Sequence, residues 1–313
     1  MPKLPKFLQF ASITKKITLA LIGLFLMLFL LTHLGINLCL LRNDGGEWFR
    51  AAAHFMGTNY IVKVFEIVLF GAIALHILLA LIIQFHNWRA RPVGYASCNK
   101  SKTAFGSKLM IWSGLLIALF LCVHLVNFWF TKVGWSDDGR YLIKVKSIEK
   151  AFKVKQQALS DAFIKAETDE DRMRVEADFA AFQDGLEVFQ TNEKLRIAQG
   201  QEYIFDLSKA EIKEITAVLP IKYEPDFYVM VQDLFKNKWI VLLYLFFMVA
   251  LCFHLMHAFP SAFQTLGAAH SKYTPIIKII GVLFAVGVSV GFAIIPILFY
   301  LCKYIPFFSY LCK

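Results

Sequence analysis

The sequence predicts an all-α integral membrane protein, a bundle of five transmembrane helices with a water-facing helical insertion. Of its 313 residues, 58% are hydrophobic and 18% charged, whereas soluble domains are about 45–50% apolar and about a quarter charged. The 33 basic and 23 acidic residues give a net charge of +10. A basic nucleic-acid-binding protein would not carry 31 Phe and long uncharged runs. We therefore expect no nucleic-acid partner and interpret the basic excess as a membrane-orientation signal.

Five apolar stretches are long enough to cross a hydrocarbon core of about 30 Å, which requires about 20 helical residues. They cover approximately residues 17–42, 60–86, 108–132, 238–260 and 276–303. The first could be mistaken for a secretory signal, but it is too long and lacks a small-residue cleavage site. We expect it to remain as a helix of the mature protein.

Basic residues concentrate on alternate connections between the spans, as expected for cytoplasmic flanks. They are Lys3, Lys6, Lys15, Lys16, Arg89, Arg91, Lys100, Lys102, Lys108, Lys272 and Lys278. In the connection between the first and second spans, by contrast, Asp44 and Glu47 offset the charges of Arg42 and Arg50. This distribution predicts a cytoplasmic N-terminus and an outer C-terminus.

Residues 133–235 form an insertion between the membrane segments 1–132 and 236–313. The insertion holds 14 basic and 20 acidic residues, a net charge of −6, while the remaining chain has 19 and 3, a net charge of +16. Apolar residues at helical spacing in 147–200 predict long amphipathic helices on the outer side. Because the insertion has no His, no Cys and no Gly-rich loop, a solvated cap or partner surface is favoured over a catalytic role.

Four spans carry histidines, although ionisable side chains in a membrane are costly and normally face the bundle interior or a cofactor. They are His33, His76, His124, and His254 with His257. Helical rise places His33 and His124 about 24 Å from the inner ends of their spans, and His76 and His257 about 24–28 Å from the outer ends. Each histidine alone could be a hydrogen-bonded core residue. Two pairs at two depths instead favour two bis-histidine haems stacked along the membrane normal.

Other metal sites and proton relays fit this pattern less well. A zinc or copper site would gather its ligands at one point, and a proton relay usually employs carboxylates, of which the spans offer only Glu66. No Cys-x-x-Cys-His motif occurs, so any haem is b-type. His254 and His257 compete for the fourth position because only one can point well at a given iron; His254 could instead serve a quinone or a propionate.

Several strings around these histidines resemble the diheme cytochrome b membrane subunit of the succinate dehydrogenase and quinol:fumarate reductase family. The strings are THLGINL around His33, HNWRARPVGY at 86–95, CVHLVNF at 122–128 and HLMHAFPSAFQTLG at 254–267. The likeness covers the five spans but not the insertion. It implies that His33 and His124 bind the distal haem, and that His76 and His257 bind the proximal haem.

The resemblance also implies a function, partners and a location. A subunit of this kind anchors an iron–sulfur protein and an FAD-containing flavoprotein on the cytoplasmic face of the bacterial inner membrane. Those partners interconvert succinate and fumarate, while the anchor passes electrons to or from quinone, commonly menaquinone. Some relatives place an acid, proposed for transmembrane proton transfer, two residues before the fourth ligand. This chain has Leu255 at that position, so the resemblance does not extend to such a proton path.

The remaining site candidates concern the quinone and the haem propionates. Glu66 is the candidate proton carrier, because quinone reduction consumes protons; the alternative is a helix-end carboxylate paired with Lys63. The candidate propionate partners are Ser261, Gln264, Lys272 and Trp112, and each could instead be an interfacial residue. Cys302 and Cys312 both fall at the outer end of the last span, where a disulfide is permitted but not required.

Two rival functions follow from the same observations. One is the cytochrome b subunit of another quinone-linked dehydrogenase, of the formate dehydrogenase or hydrogenase type, which tends to have four spans and a different distribution of histidines. The other is a transporter or membrane scaffold whose histidines are structural.

Overall fold

The computed structural model describes residues 12–90, 105–136, 139–192, 195 and 202–312. The predicted basic flanking residues Lys3, Lys6, Arg91, Lys100 and Lys102 lie outside these ranges. The chain forms two compact units, one made of residues 1–123 and 232–313 and the other of residues 124–231. Each unit is described below by itself.

In chain order the helices are α1 (Ser12–Leu38), α2 (Glu47–Thr58), α3 (Tyr60–Ala90), α4 (Phe105–His124), α5 (Phe130–Lys132), α6 (Val145–Lys165), α7 (Asp169–Thr191), α8 (Lys209–Val218), α9 (Phe227–Phe235), α10 (Lys238–Thr265) and α11 (Thr274–Leu301). The strands are β1 (Tyr141–Lys144), β2 (Tyr203–Leu207) and β3 (Glu224–Pro225). A short 3₁₀ turn, Cys39–Leu41, follows α1, and a second one, Pro306–Cys312, follows α11. A π-helical segment, Leu125–Trp129, joins α4 to α5.

The prediction of five helices that are long and apolar enough to span a membrane is confirmed. Helices long and apolar enough to cross a bilayer cover Ile13–Leu41, Tyr60–Arg89, Leu109–Lys132, Lys238–Thr265 and Thr274–Leu301. Helices form there because a membrane-spanning backbone must satisfy its own hydrogen bonds within the segment. Local signals define some of the ends: the Asn237 side chain accepts a hydrogen bond from Trp239 N at 2.9 Å and caps α10.

The core of the first unit lies where α1, α10 and α11 meet. Its buried side chains are Met27 of α1, Phe247, Met248, Leu251 and Leu255 of α10, and Ala285 and Val288 of α11. Gly281 of α11 permits this contact, because a Cβ atom there would lie 3.1 Å from Phe259 and 3.2 Å from Pro260. Helix α3 is less buried than α10 and α11, since no residue in its most apolar stretch is buried by protein.

The connection between the first two spans contains a helix that the sequence analysis did not predict. In α2, Phe49 is buried, whereas Trp48 and Phe55 are exposed, so the helix is amphipathic and packs against α1 and α3. Gly46 precedes it with a left-handed φ of 85°, and its N–H donates to Asp44 Oδ1 at 3.0 Å. The turn geometry therefore requires glycine at this position.

A disulfide between Cys302 and Cys312 closes the C-terminal 3₁₀ turn, with the two Cα atoms 5.8 Å apart. Tyr310 OH donates to the carbonyl of Leu41 at 2.9 Å, and Gln232 Nε2 donates to the carbonyl of Leu311 at 2.8 Å. These contacts bring the second 3₁₀ turn to the end of the bundle where α1 ends. The sequence alone permitted this disulfide but did not require it.

The second unit contains the predicted amphipathic helices as α6 and α7. Three residues separate the two helices, and Thr168 caps α7 by accepting from Asp171 N at 3.1 Å. Three acidic residues in the first turn of α7 complement the positive end of the helix dipole. The buried cluster of this unit includes Ile148 and Leu159 from α6 and Phe182 from α7.

A three-stranded antiparallel sheet, in the order β2-β1-β3, completes the second unit. Tyr141 pairs with Leu207 and Ile143 with Ile204, so β2 has one extra residue at a bulge. Asp206 lies in this bulge with a φ of 62°. The all-α prediction is therefore wrong for this unit. Strand β1 pairs with strands that lie about sixty and about eighty residues further along the chain, and such pairing leaves no local periodic signal.

Candidate functional site

The structure brings His76 of α3 and His254 of α10 together inside the first unit. Their ring centres lie 6.5 Å apart, and their planes are inclined by 65°. His76 lies sixteen residues after the start of α3 at Tyr60, and His254 sixteen residues after the start of α10 at Lys238. At 1.5 Å per residue, both positions are about 24 Å along their helices. The two histidines therefore lie equally far along their helices, as expected for side chains whose rings are in contact.

Glycines of two further helices lie against these imidazoles. A Cβ atom on Gly114 of α4 would lie 3.4 Å from Cε1 of His254, and one on Gly23 of α1 would lie 4.0 Å from Cε1 of His76. At these two positions, therefore, α1 and α4 place a glycine rather than a larger side chain beside the rings.

Ser113, next to Gly114, contacts the His254 ring directly. Its Oγ lies 3.2 Å from Nδ1 of His254 and 3.1 Å from the carbonyl oxygen of Met110. Only 5% of Ser113 is exposed. Ser113 was not predicted from the sequence, since a serine in a membrane helix has no distinctive spacing of its own.

The separation of the two ring centres matches that of two imidazoles that bind one metal ion from opposite sides. With metal–nitrogen distances of about 2 Å, their ring centres would lie about 6 Å apart, close to the observed 6.5 Å. Nδ1 of His76 is buried and has no hydrogen-bond partner within the described ranges. Those ranges hold no group of three or more His, Cys, Asp or Glu side chains suited to a metal, whereas a bis-histidine haem requires only two.

His257 lies three residues beyond His254 on α10 and is half-buried. This spacing moves it about 4.5 Å along the axis and about 60° around the helix. In the described part of the chain, the ring that contacts His76 is that of His254. The assignment of His257 as a ligand stays a prediction.

His33 of α1 lies against α11. Its ring stacks on Phe29, with ring centres 5.3 Å apart and planes inclined by 15°, and it lies 5.6 Å from the ring of Phe292. Asn37 Nδ2 donates to the His33 carbonyl at 2.8 Å. A Cβ atom on Gly291 would lie 2.8 Å from the side chain of Leu34, so this glycine permits the close approach of α11 to α1.

His124 is the last residue of α4 and immediately precedes the π-helical segment. Its ring centre lies 5.1 Å from that of Phe128 within that segment. Short π-helical segments are frequent at functional sites, because they re-aim the side chains around them. This irregularity was not predicted from the sequence.

A matched spacing relates the histidines of α1 and α4 to the glycines beside the other pair. His33 lies ten residues after Gly23, and His124 ten residues after Gly114. Each interval corresponds to about 15 Å of helix. The repeated pattern of Gly, nine residues and His in two spans is the sequence signal that could have identified both glycines.

Glu66 and the predicted propionate partners lie at varied positions. Glu66 is partly buried on α3, ten residues before His76. Ser261 is partly buried near the end of α10, while Gln264 and Lys272 are exposed. Trp112 on α4 is 65% exposed, as expected for an interfacial residue. Their proposed roles stay predictions.

Comparison of the chain with protein-family models, with curated proteins and with solved structures returned no match. The residues of the site and the sequence resemblance therefore carry the functional argument.

Proposed function

We propose that this chain is the membrane anchor and electron-transfer subunit of a succinate:quinone or quinol:fumarate oxidoreductase, and that it holds two b haems. The observation that carries the proposal is the apposition of His76 and His254, with ring centres 6.5 Å apart, in a chain with five membrane-spanning helices. The family assignment rests on the sequence resemblance around the histidines.

The proximal haem, called the inner haem below, is proposed to lie between His76 and a histidine of α10. Contact with the His76 ring favours His254 over the His257 that the resemblance implied. Gly23 and Gly114 leave room beside the two rings. When bound, a b haem supplies a one-electron carrier whose potential depends on its axial ligands and their hydrogen bonds. The chain contributes the two nitrogen ligands and their orientation.

The distal haem, called the outer haem below, is proposed to be held by His33 and His124, as the sequence predicts. Each of these lies about 15 Å along its own helix from the glycine beside the inner pair. That distance is about half of the 30 Å hydrocarbon core. Two cofactors spaced in this way would carry electrons across about half of the hydrocarbon core.

Glu66 is the proposed proton carrier for quinone, commonly menaquinone in the diheme members of the family. It lies ten residues, or about 15 Å, before His76 on α3. Because consecutive spans run in opposite directions, Glu66 and His33 are displaced from the Gly23–His76 contact toward the same membrane face. This places a carboxylate at the level proposed for the outer haem.

The proposed orientation has the N-terminus inside and the C-terminus outside, in a bacterial cytoplasmic membrane. The Cys302–Cys312 disulfide supports it, since disulfides persist in oxidising compartments such as the periplasm. The basic flanks on the opposite side support it independently. The iron–sulfur and flavoprotein partners would then bind at the cytoplasmic face.

The test is an absorption spectrum and a haem assay of the purified full-length chain in detergent. We expect a b-type α-band after dithionite reduction and two haems per chain. His76→Ala and His254→Ala should each remove one haem, whereas His270→Ala, in the exposed loop before α11, should remove none. A wild-type chain without haem would refute the proposal and favour structural histidines. Loss of haem in His257→Ala but not in His254→Ala would restore the ligand that the resemblance implied.

A further inference from the structure

The hairpin formed by α6 and α7 in the second unit is apolar on two sides. One side packs into the buried cluster through Ile148, Leu159 and Phe182. The other side forms an open groove between the two helices, and the apolar residues that line it are Phe163, Ile164, Val175, Phe179 and Ala180. Ile164 is 78% exposed and Phe163 46%. Apolar side chains gathered in one exposed patch mark an interaction site.

The charges of the hairpin are divided between its two helices. Helix α6 carries five lysines and two acidic residues, a net charge of +3, whereas α7 carries seven acidic residues and two arginines, a net charge of −5. The same division holds in the groove, whose charged lining residues are Lys153 on α6 and Glu176 on α7. Both are exposed, and neither forms an ion pair with another residue that the structure describes. The groove therefore has one positive wall and one negative wall.

We propose that this groove binds the same groove of a second copy of the chain. The two hairpins then form a four-helix bundle, in which α6 of each copy lies against α7 of the other and the apolar lining is buried. An interface with a two-fold axis must be complementary to itself, because each patch meets an identical patch. A surface with one positive and one negative wall meets this condition, whereas a surface of a single charge would repel its copy.

The positions of Lys153 and Glu176 fit such an axis. Helix α6 ends at Lys165 and α7 begins at Asp169, so the two helices run antiparallel from a short turn. Lys153 lies twelve residues, or about 18 Å, from the turn end of α6, and Glu176 lies seven residues, or about 10 Å, from the turn end of α7. Their midpoint is within about one helical turn of the centre of the groove. A two-fold axis through that point brings Lys153 of one copy beside Glu176 of the other.

The open face is large enough for a specific dimer. Helices of 21 and 23 residues are about 32 and 35 Å long, and packed helices lie about 10 Å apart. A face of about 33 Å by about 20 Å covers about 660 Å². This area approaches the roughly 800 Å² that each partner buries in a typical specific interface.

The experiment measures self-association of the full-length chain in detergent by sedimentation equilibrium. It compares the wild type with Lys153→Glu, with Glu176→Lys and with the double variant that carries both substitutions. Asp178→Lys is the matched control, because Asp178 is also an exposed acidic residue of α7 but does not line the groove. Circular dichroism checks that each variant keeps its helix content. Haem content does not enter this measurement, so its outcome is independent of the proposed function.

We expect the wild type to dimerise and each single reversal to weaken the dimer by about tenfold, because the two-fold axis repeats each new like-charge contact. The two reversals change the net charge in opposite directions, so a general charge effect would not weaken both. The double variant should recover the wild-type dimer, since its opposite charges face each other again, and Asp178→Lys should leave it unchanged. A monomeric wild type, single reversals without effect, or a double variant as weak as the single ones would each overturn the inference.

A second pair of variants tests the apolar part of the groove. Ile164→Ser should weaken the dimer, because Ile164 lines the groove and is exposed in the single chain. Val154→Ser should not, since Val154 is 58% exposed on the same helix but lies outside the groove. Equal effects of the two substitutions would place the contact elsewhere on α6 and overturn the inference.

Discussion

Substitution of Gly114 by leucine should selectively displace the inner haem. A Cβ atom there already lies in van der Waals contact with His254, 3.4 Å from Cε1, so the additional carbon atoms of leucine must enter the space of the ring. Overpacking of this kind costs typically 1–3 kcal/mol. The better helix propensity of leucine acts on the haem-free and haem-bound forms alike, so it does not offset this cost. The cost of about 1–3 kcal/mol corresponds to about 5- to 160-fold weaker binding of the inner haem.

The assay is haem stoichiometry and the reduced-minus-oxidised spectrum of the purified protein. Gly114→Ala should retain both haems, because its Cβ atom makes only an ordinary contact. Gly35→Leu is the matched control, since Gly35 is an exposed glycine of a membrane helix with nothing within 4 Å of its Cβ position. If Gly114→Leu retains both haems with unchanged spectra, the inner haem does not lie beside His254 and the reasoning fails.

Three further predictions concern other parts of the chain. The double substitution Cys302→Ser and Cys312→Ser removes a disulfide that joins residues ten positions apart. It should lower the free energy of unfolding by about 3 kcal/mol, and an unchanged thermal midpoint would contradict this. Ile143→Ala, at a fully buried site of the sheet, should destabilise the second unit by about 2–5 kcal/mol in urea unfolding, whereas Val154→Ala at an exposed site should not; equal effects would refute the described core. Glu66→Gln should abolish quinone turnover and leave both haem spectra unchanged, and full activity would exclude Glu66 as the proton carrier.

The location of the histidines along their helices was predictable, but the choice between His254 and His257 was not. Helical rise is constant, so residue number converts directly into distance along a span. The direction in which a side chain faces depends on how the helix is rotated against its neighbours. Here the packing of α10 on α1 and α11 through residues such as Leu251 and Leu255 sets that rotation, and it turns His254 toward His76.

Ser113 illustrates a second limit of sequence reasoning. Its Oγ has two polar contacts, one within α4 and one with His254, 141 positions away. A hydroxyl in a membrane helix usually bonds to its own backbone, so the residue type alone does not indicate a contact with a histidine of another helix. Only the approach of α10 to Gly114 reveals it.

The sequence by itself determined the five long apolar helices and the position of each histidine along its helix. Apolar runs of this length have one stable form in lipid, because the backbone must satisfy its own hydrogen bonds there. The tertiary structure alone decided which histidine meets His76, the presence of the sheet in the second unit and the closure of the Cys302–Cys312 disulfide. Each of these depends on contacts between distant residues or on the rotation of one helix against another, and no local pattern specifies them.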